Sequence, residues 1–228
     1  MRTERTSAGV QRQVPRYPAP HRSKRRGGST RTGRSAAILE QIERPEVTLV
    51  HWRRTLRAID HPLPVLGWER TLRGDERTPF EPALAPFADA GVRTRLQDDC
   101  TRLLASFRQL TGARAVVAGL AVIDGDQCRR FHADYVRLRL LCTYVGPGTE
   151  WIAEEDVVTA ERESEEDFTL HNHKILRSGG VIERASTGDV VLMKGQSWPG
   201  NAGRGAIHRS PPIEADGLRR LVFRLTLP

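Results

Sequence analysis

The second half of the chain constrains the fold most. From Ala113 onward, short apolar or alternating stretches follow one another: 115–123, 135–145, 168–175, 180–185, 189–194, 205–209 and 218–227. Gly, Pro and Asp punctuate them, as at Gly146-Pro147-Gly148 and Gly188-Asp189. These are turn residues, and each stretch is short enough to be a strand. A parallel sheet needs a crossover helix between its strands, and no helical pattern separates these. The expected class is therefore mainly β with flanking helices (α+β). Its core, over 113–228, is a double-stranded β-helix of the jelly-roll, cupin-like kind.

The first half reads differently. Residues 36–43 predict a short helix ended before Pro45, and 46–52 alternate like a strand or an extended docking segment. Residues 60–86 carry many prolines and read as loop. Over 91–110, Leu96, Cys100, Leu103, Leu104 and Phe107 recur at spacings of three and four, one apolar stripe of a helix that Gly112 stops. Residues 36–112 are thus expected to pack on the outside of the barrel, with 36–228 one domain. The acidic stretch 154–167 reads as surface loop.

A net charge of +8 suggests nucleic acid as a partner, but its location argues otherwise. Residues 1–34 hold ten Lys or Arg against one acid, while the remainder holds 26 basic and 27 acidic residues. The charge belongs to a tail, expected to be a disordered leader over 1–35; any contact with nucleic acid would run through its phosphate-binding arginines. No apolar run reaches the roughly 18 residues of a membrane span, and the first residues lack the apolar stretch of a secretory signal. A cytoplasmic protein without membrane contact is expected. Cys100, Cys128 and Cys142 are odd in number and widely spaced, which suits neither a disulfide framework nor a thiolate zinc site.

The chemistry-bearing residues begin at His132-Ala133-Asp134. Two residues apart on a strand, an imidazole and a carboxylate point to one face and can occupy adjacent positions on a metal ion. Chance alone supplies about 0.4 such pairs in a chain of this composition, so the pair needs a partner. His208 supplies one, 76 residues on and after a Gly-rich loop. The same three side chains would also serve a metal-free hydrogen-bond network. On the last strand Leu221, Phe223, Leu225 and Leu227 form one face, and Arg220, Val222, Arg224 and Thr226 the other. Arg224 with Thr226, or Arg220 in its place, can bind a carboxylate through a guanidinium fork and a hydroxyl; a solvated face is the alternative. His171 and His173 lie two apart on an expected strand, as accessory ligands or as a surface pair. Cys128 is either a soft ligand or a structural thiol. Trp198, in the 195–205 loop, is a candidate lid residue. Neither a phosphate-cradling glycine loop nor a G-x-S-x-G elbow occurs.

These motifs resemble a bacterial family of uncharacterised proteins, a domain of unknown function. Its pattern runs C-x-x-F-H-x-D, R-L-L-x-T-Y-x-G-P-G-T-x-W, G-D-x-x-L-x-K-G and I-H-R-S-P. Here these are Cys128–Asp134, Arg139–Trp151, Gly188–Gly195 and Ile207–Pro211. The resemblance covers roughly residues 46–228 and carries an association with zinc homeostasis. More distantly, the order of motifs is similar to the 2-oxoglutarate and iron(II) dioxygenases of the double-stranded β-helix fold. That likeness implies a divalent metal, iron(II) or alternatively zinc, on His132, Asp134 and His208. It also implies a 2-oxoglutarate site at Arg224, with Arg219 or Arg220 as substitutes because the spacing from His208 to Arg224 is long. The expected function is a metal-dependent oxygenase acting on a small molecule or peptide; the alternative is a non-enzymatic zinc-binding protein.

Overall fold

The computed structural model describes residues 28–74 and 79–228. The basic tail expected over 1–35 lies, up to residue 27, outside the described residues. Among the described residues ten strands form two sheets. In chain order they are β1 (Thr30–Gly33), β2 (Leu49–Trp52), β3 (Gly67–Leu72), β4 (Val116–Ile123), β5 (Leu138–Val145), β6 (Glu150–Ile152), β7 (Ile182–Arg184), β8 (Val190–Lys194), β9 (Ile207–Arg209) and β10 (Arg220–Leu227). Three α-helices accompany them: α1 (Glu81–Leu84), α2 (Ala90–Thr111) and α3 (Phe168–Lys174). A 3-10 helix spans Ala36–Glu43.

The larger sheet has the order β1-β2-β8-β5-β10-β4-β3, and the smaller β7-β6-β9. Every pairing is antiparallel except that of β1 with β2. Strands adjacent in the sheet are distant in sequence, as in β8-β5-β10-β4. That is the double-stranded β-helix arrangement, and the fold is mainly β. No described helix is long and apolar enough to cross a membrane.

Period-2 alternation decides what each face of the larger sheet does. On β10, Leu221, Phe223 and Leu225 are fully buried and join Leu138, Leu140, Cys142, Leu120 and Val190 in the main core. Helix α2 covers that face with Leu96, Cys100, Leu103, Leu104 and Phe107. Each such side chain contributes about 1.5–3 kcal/mol by leaving water. The helix starts where Asp89 accepts a bond from the Val92 N–H at 2.6 Å and ends at Gly112, whose φ of 64° suits a left-handed cap. The opposite face of the sheet carries Arg139, Leu141, Val222 and Arg224, and it lines a cavity. A second cluster, Leu49, Trp151, Val191, Met193 and Ala206, joins the two sheets beside that cavity.

Four expectations need correction. Thr30–Gly33 is a strand, paired with Leu49–Trp52, and Ser29 is tied to Glu155 through its N–H and hydroxyl at 3.2 and 2.9 Å. The segment expected to be tail therefore contains paired, ordered chain at residues 29–33. Backbone pairing at an edge needs no apolar side chains, so the polar T-R-T-G composition concealed it. Residues 67–72, expected as loop, form edge strand β3 against β4; its Trp68 and Leu72 reach the main core. Because β2 and β3 belong to the larger sheet, residues 36–112 complete the barrel as well as cover it. Finally, 168–175 is helix α3 instead of a strand. Asp167 caps it, accepting from the Thr169 N–H at 2.9 Å, and the turn aims His171 and Asn172 at the segment 129–131.

Candidate metal centre

His132 and His208 meet through backbone pairing. Each donates its N–H to the other's carbonyl at 3.0 Å, an isolated antiparallel bridge on the edge of β9 away from β6, where His208 is in register with Trp151. Their rings lie 4.7 Å apart between centroids. His132 Nδ1 is 2.9 Å from the Arg130 carbonyl and His208 Nδ1 is 3.0 Å from the Ala206 carbonyl. Each Nδ1–H therefore donates to a carbonyl, which fixes the tautomer and leaves Nε2 with a free lone pair.

Asp134 closes the group. One ligand atom from each of His132, Asp134 and His208 lies within 4.8 Å of the others. Asp134 Oδ1 is 3.6 Å from His132 Nε2, and Oδ2 is 3.3 Å from His208 Nε2. Oδ2 is buried and has no hydrogen-bond partner. Two imidazole lone pairs facing a carboxylate oxygen repel one another unless a metal ion, or protons on the Nε2 atoms, lie among them. The donor set of two nitrogens and an oxygen, with that orphaned atom, fits a divalent metal ion.

Burial would push the Asp134 carboxyl up, but His132, His208 and Arg139 outweigh it and hold it well below the usual carboxylate range. It is ionised at neutral pH, as a ligand must be. Burial would lower the His132 imidazole. Asp134 and the Arg130 carbonyl overcome that and raise it.

Neighbouring backbone positions the group. The Phe131 N–H donates to Asn172 Oδ1 at 2.9 Å, and the Phe131 carbonyl lies 2.8 Å from His171 Nε2. Gln196 N–H donates to the Asp134 carbonyl at 2.8 Å, and Gly195 N–H to that of Arg137 at 3.1 Å. This approach requires a glycine: a Cβ at Gly195 would stand 2.0 Å from the Val136 carbonyl oxygen and 2.7 Å from that of Asp134.

A cavity of ≈ 310 Å³ opens beside the two histidines. Leu141, Val222, Ile123 and Trp68 contribute apolar wall, and Arg139, Arg220 and Arg224 contribute charge. Arg224 is paired with Glu69 across Gly119, which lies in register between them. Arg220 is buried. Its guanidinium donates to the Pro147 carbonyl at 2.8 Å, the Ser210 hydroxyl at 3.0 Å and the Thr143 hydroxyl at 3.3 Å. Burial lowers its pKa to about 10. Among the described residues no carboxylate lies within ion-pair distance of it.

The remaining sequence candidates lie outside the cluster of His132, Asp134 and His208. Thr226 shares the face of Arg224 but accepts a bond from Arg139 Nε at 3.4 Å and does not line the cavity. His171 is buried and supports Phe131; His173 is exposed on α3, because residues two apart point different ways on a helix. Cys128 is exposed, lines the cavity and adopts φ 49°. Trp198 packs against the main core and over Lys194, 5.3 Å from its Nζ, and does not line the cavity. Asn201 pins its loop by donating to the Gly195 carbonyl at 3.0 Å.

Arg139 was missed. Its Nη1 lies 2.6 Å from Asp134 Oδ1. The signal was the alternation of Leu138, Leu140 and Cys142 on β5, which leaves Arg139 and Leu141 on the cavity face.

Residues 33–226 match the family described as "Protein of unknown function (DUF1826)". The chain belongs to this family. The match takes in all three clustered side chains, Arg139 and Arg220 of this DUF1826 protein. No curated protein matches its sequence. Solved structures similar to it include a rice dioxygenase for auxin oxidation, at 15% identity and a TM-score of 0.39, covering 73% of this chain and 57% of that one. A full-length Neurospora crassa protein in complex with alpha-KG gives 15%, 0.39, 71% and 56%. The Fe(II)/(alpha)ketoglutarate-dependent dioxygenase TqaL gives 13%, 0.37, 71% and 66%. The DUF1826 chain thus spans less than two thirds of the length of each.

Proposed function

We propose that the protein is an iron(II)-dependent oxygenase that uses a 2-oxo dicarboxylate, 2-oxoglutarate, as co-substrate. The carrying observation is the convergence of His132 Nε2, His208 Nε2 and the partnerless Asp134 Oδ2, with both histidines lining a cavity. Three protein ligands on one side leave positions for small molecules on the other, the pattern of a facial triad. When bound, the metal ion would supply oxygen activation and an electrophilic anchor for a 2-oxo acid.

The chain's own residues would do the rest. Backbone carbonyls of Arg130 and Ala206 hold the imidazoles in the ligating tautomer. Arg220 would take the distal carboxylate: it is buried, charged and bonded only to neutral oxygens, so an incoming carboxylate gains a charge-assisted bond without breaking an ion pair. Arg224, already paired with Glu69 and partly exposed, is less suited than its position on β10 suggested. Leu141, Val222 and Trp68 would exclude water from the reacting groups.

The alternative, a non-enzymatic zinc site, needs a fourth ligand to close it. Among the described residues the cluster has three members, and His171 Nε2 is occupied at the Phe131 carbonyl. That supports an open site.

The test is calorimetry of 2-oxoglutarate against the Mn(II)-loaded protein, followed by assay of succinate with iron(II) and oxygen. Metal-dependent binding and succinate release are expected. A protein that holds the metal but does not bind 2-oxoglutarate removes the co-substrate reading.

A further inference from the structure

The Asp134 carboxylate is divided between two neighbours. Its Oδ1 is held by Arg139 Nη1 at 2.6 Å, while Oδ2 is buried, without a hydrogen-bond partner, and 3.3 Å from His208 Nε2. Arg139 is fastened from behind, its Nε donating to the Thr226 hydroxyl at 3.4 Å. It also lines the cavity together with His132 and His208. The R-L-L-x-T-Y motif begins at this arginine but assigns it no role.

We propose that Arg139 is a positioning residue that shares Asp134 with the metal ion: it holds Oδ1, leaves Oδ2 alone to the ion, and keeps the ion exchangeable. The inference rests on the reading that the triad holds a divalent ion. A free carboxylate can take two positions on a cation; one whose first oxygen is occupied by a guanidinium takes one. The position saved opens toward the cavity, where a small ligand enters.

Two effects of Arg139 on affinity oppose each other. As an orienting partner of a ligand it would strengthen binding by about 10–100-fold. As a fixed cation one carboxylate's width from a dication it would weaken binding. At that separation, with an effective dielectric of about 20, the repulsion between a single and a double charge is the larger effect. Removing the charge should therefore tighten binding.

The experiment titrates Co(II) and Mn(II) into the full chain by calorimetry and times Co(II) release to a chelator. Arg139→Met is expected to bind about tenfold more tightly or better, and to release Co(II) correspondingly more slowly. Arg139→Lys, which keeps the charge, is expected to stay near wild type. Arg139→Gln serves in place of the Met variant should that one not fold. A neutral variant that binds as wild type or more weakly overturns the proposal. So does a Lys variant that binds as tightly as the neutral one, since charge would then not be the cause. A wild-type protein that binds neither ion overturns the metal reading itself, and this inference with it.

Discussion

His132 and His208, 76 residues apart, stand opposite each other because each donates its backbone N–H to the other's carbonyl at 3.0 Å. The imidazoles are thus placed by main-chain pairing, and their Nδ1 atoms are occupied by carbonyls two residues upstream. Side-chain substitution should therefore empty the site without disturbing the fold. His132→Ala, His208→Ala and Asp134→Ala are each expected to weaken Mn(II) binding by about a hundredfold or more, since removing a ligand costs at least what removing its outer partner does. Calorimetry checks the affinity, and circular dichroism should show an unchanged spectrum.

Arg220 and Arg224 make opposite predictions. If the buried, neutrally bonded guanidinium is the carboxylate anchor, Arg220→Gln should lose 2-oxoglutarate affinity by about thirtyfold or more, the scale of a desolvated charge pair. Arg224→Gln, which breaks a partly exposed pair with Glu69, should change it by less than about threefold. Titrating both Mn(II)-loaded variants decides between them, and the reverse order would move the anchor to Arg224.

Gly195 is tested by adding one carbon. The Cβ of Gly195→Ala would stand 2.0 Å from the Val136 carbonyl oxygen, so the 134–136 segment must shift. A loss of about 1–3 kcal/mol is expected from overpacking, together with weaker metal binding because Asp134 moves. Thermal unfolding and metal titration read the two effects separately.

Acid should unfold the protein partly through Asp189. Burial pushes this carboxyl up, but His51 at 2.8 Å and the Arg54 and Ser186 N–H groups, each at 2.9 Å, prevail and hold it below its ordinary value. A depressed folded-state pKa contributes stability above the unfolded value near 3.9, and that stability is lost as pH falls through the folded value. Asp189→Asn should therefore be less stable at neutral pH and lose less on acidification below about pH 4. Urea unfolding at pH 7 and pH 3 measures the difference; an Asn variant with the wild-type slope would refute it.

Acidic stability aside, Asp189 shows how far a local reading extends. The Gly188-Asp189 turn is visible in the chain, but its carboxylate also fastens the exit of β2, whose Arg54 then forks onto Asp99 of α2 at 2.9 and 3.0 Å. Those partners are 135 and 45 residues away in sequence, and no spacing rule reaches them.

Local regularities were enough for much of the rest. Period-2 alternation on β10 separated its core face from its cavity face, because successive side chains of a strand must point opposite ways. The three- and four-residue spacing from Leu96 to Phe107 announced α2, and His132 and Asp134 stood out as candidates by type and spacing. What those patterns could not contain is register. Which arginine meets Asp134, whether Arg220 or Arg224 lies buried, why residue 195 has to be glycine and why Thr30–Gly33 is a strand all depend on strands paired across long stretches of chain. Pairing is set by the burial of whole faces together, so it is a property of the assembled barrel and of no single segment.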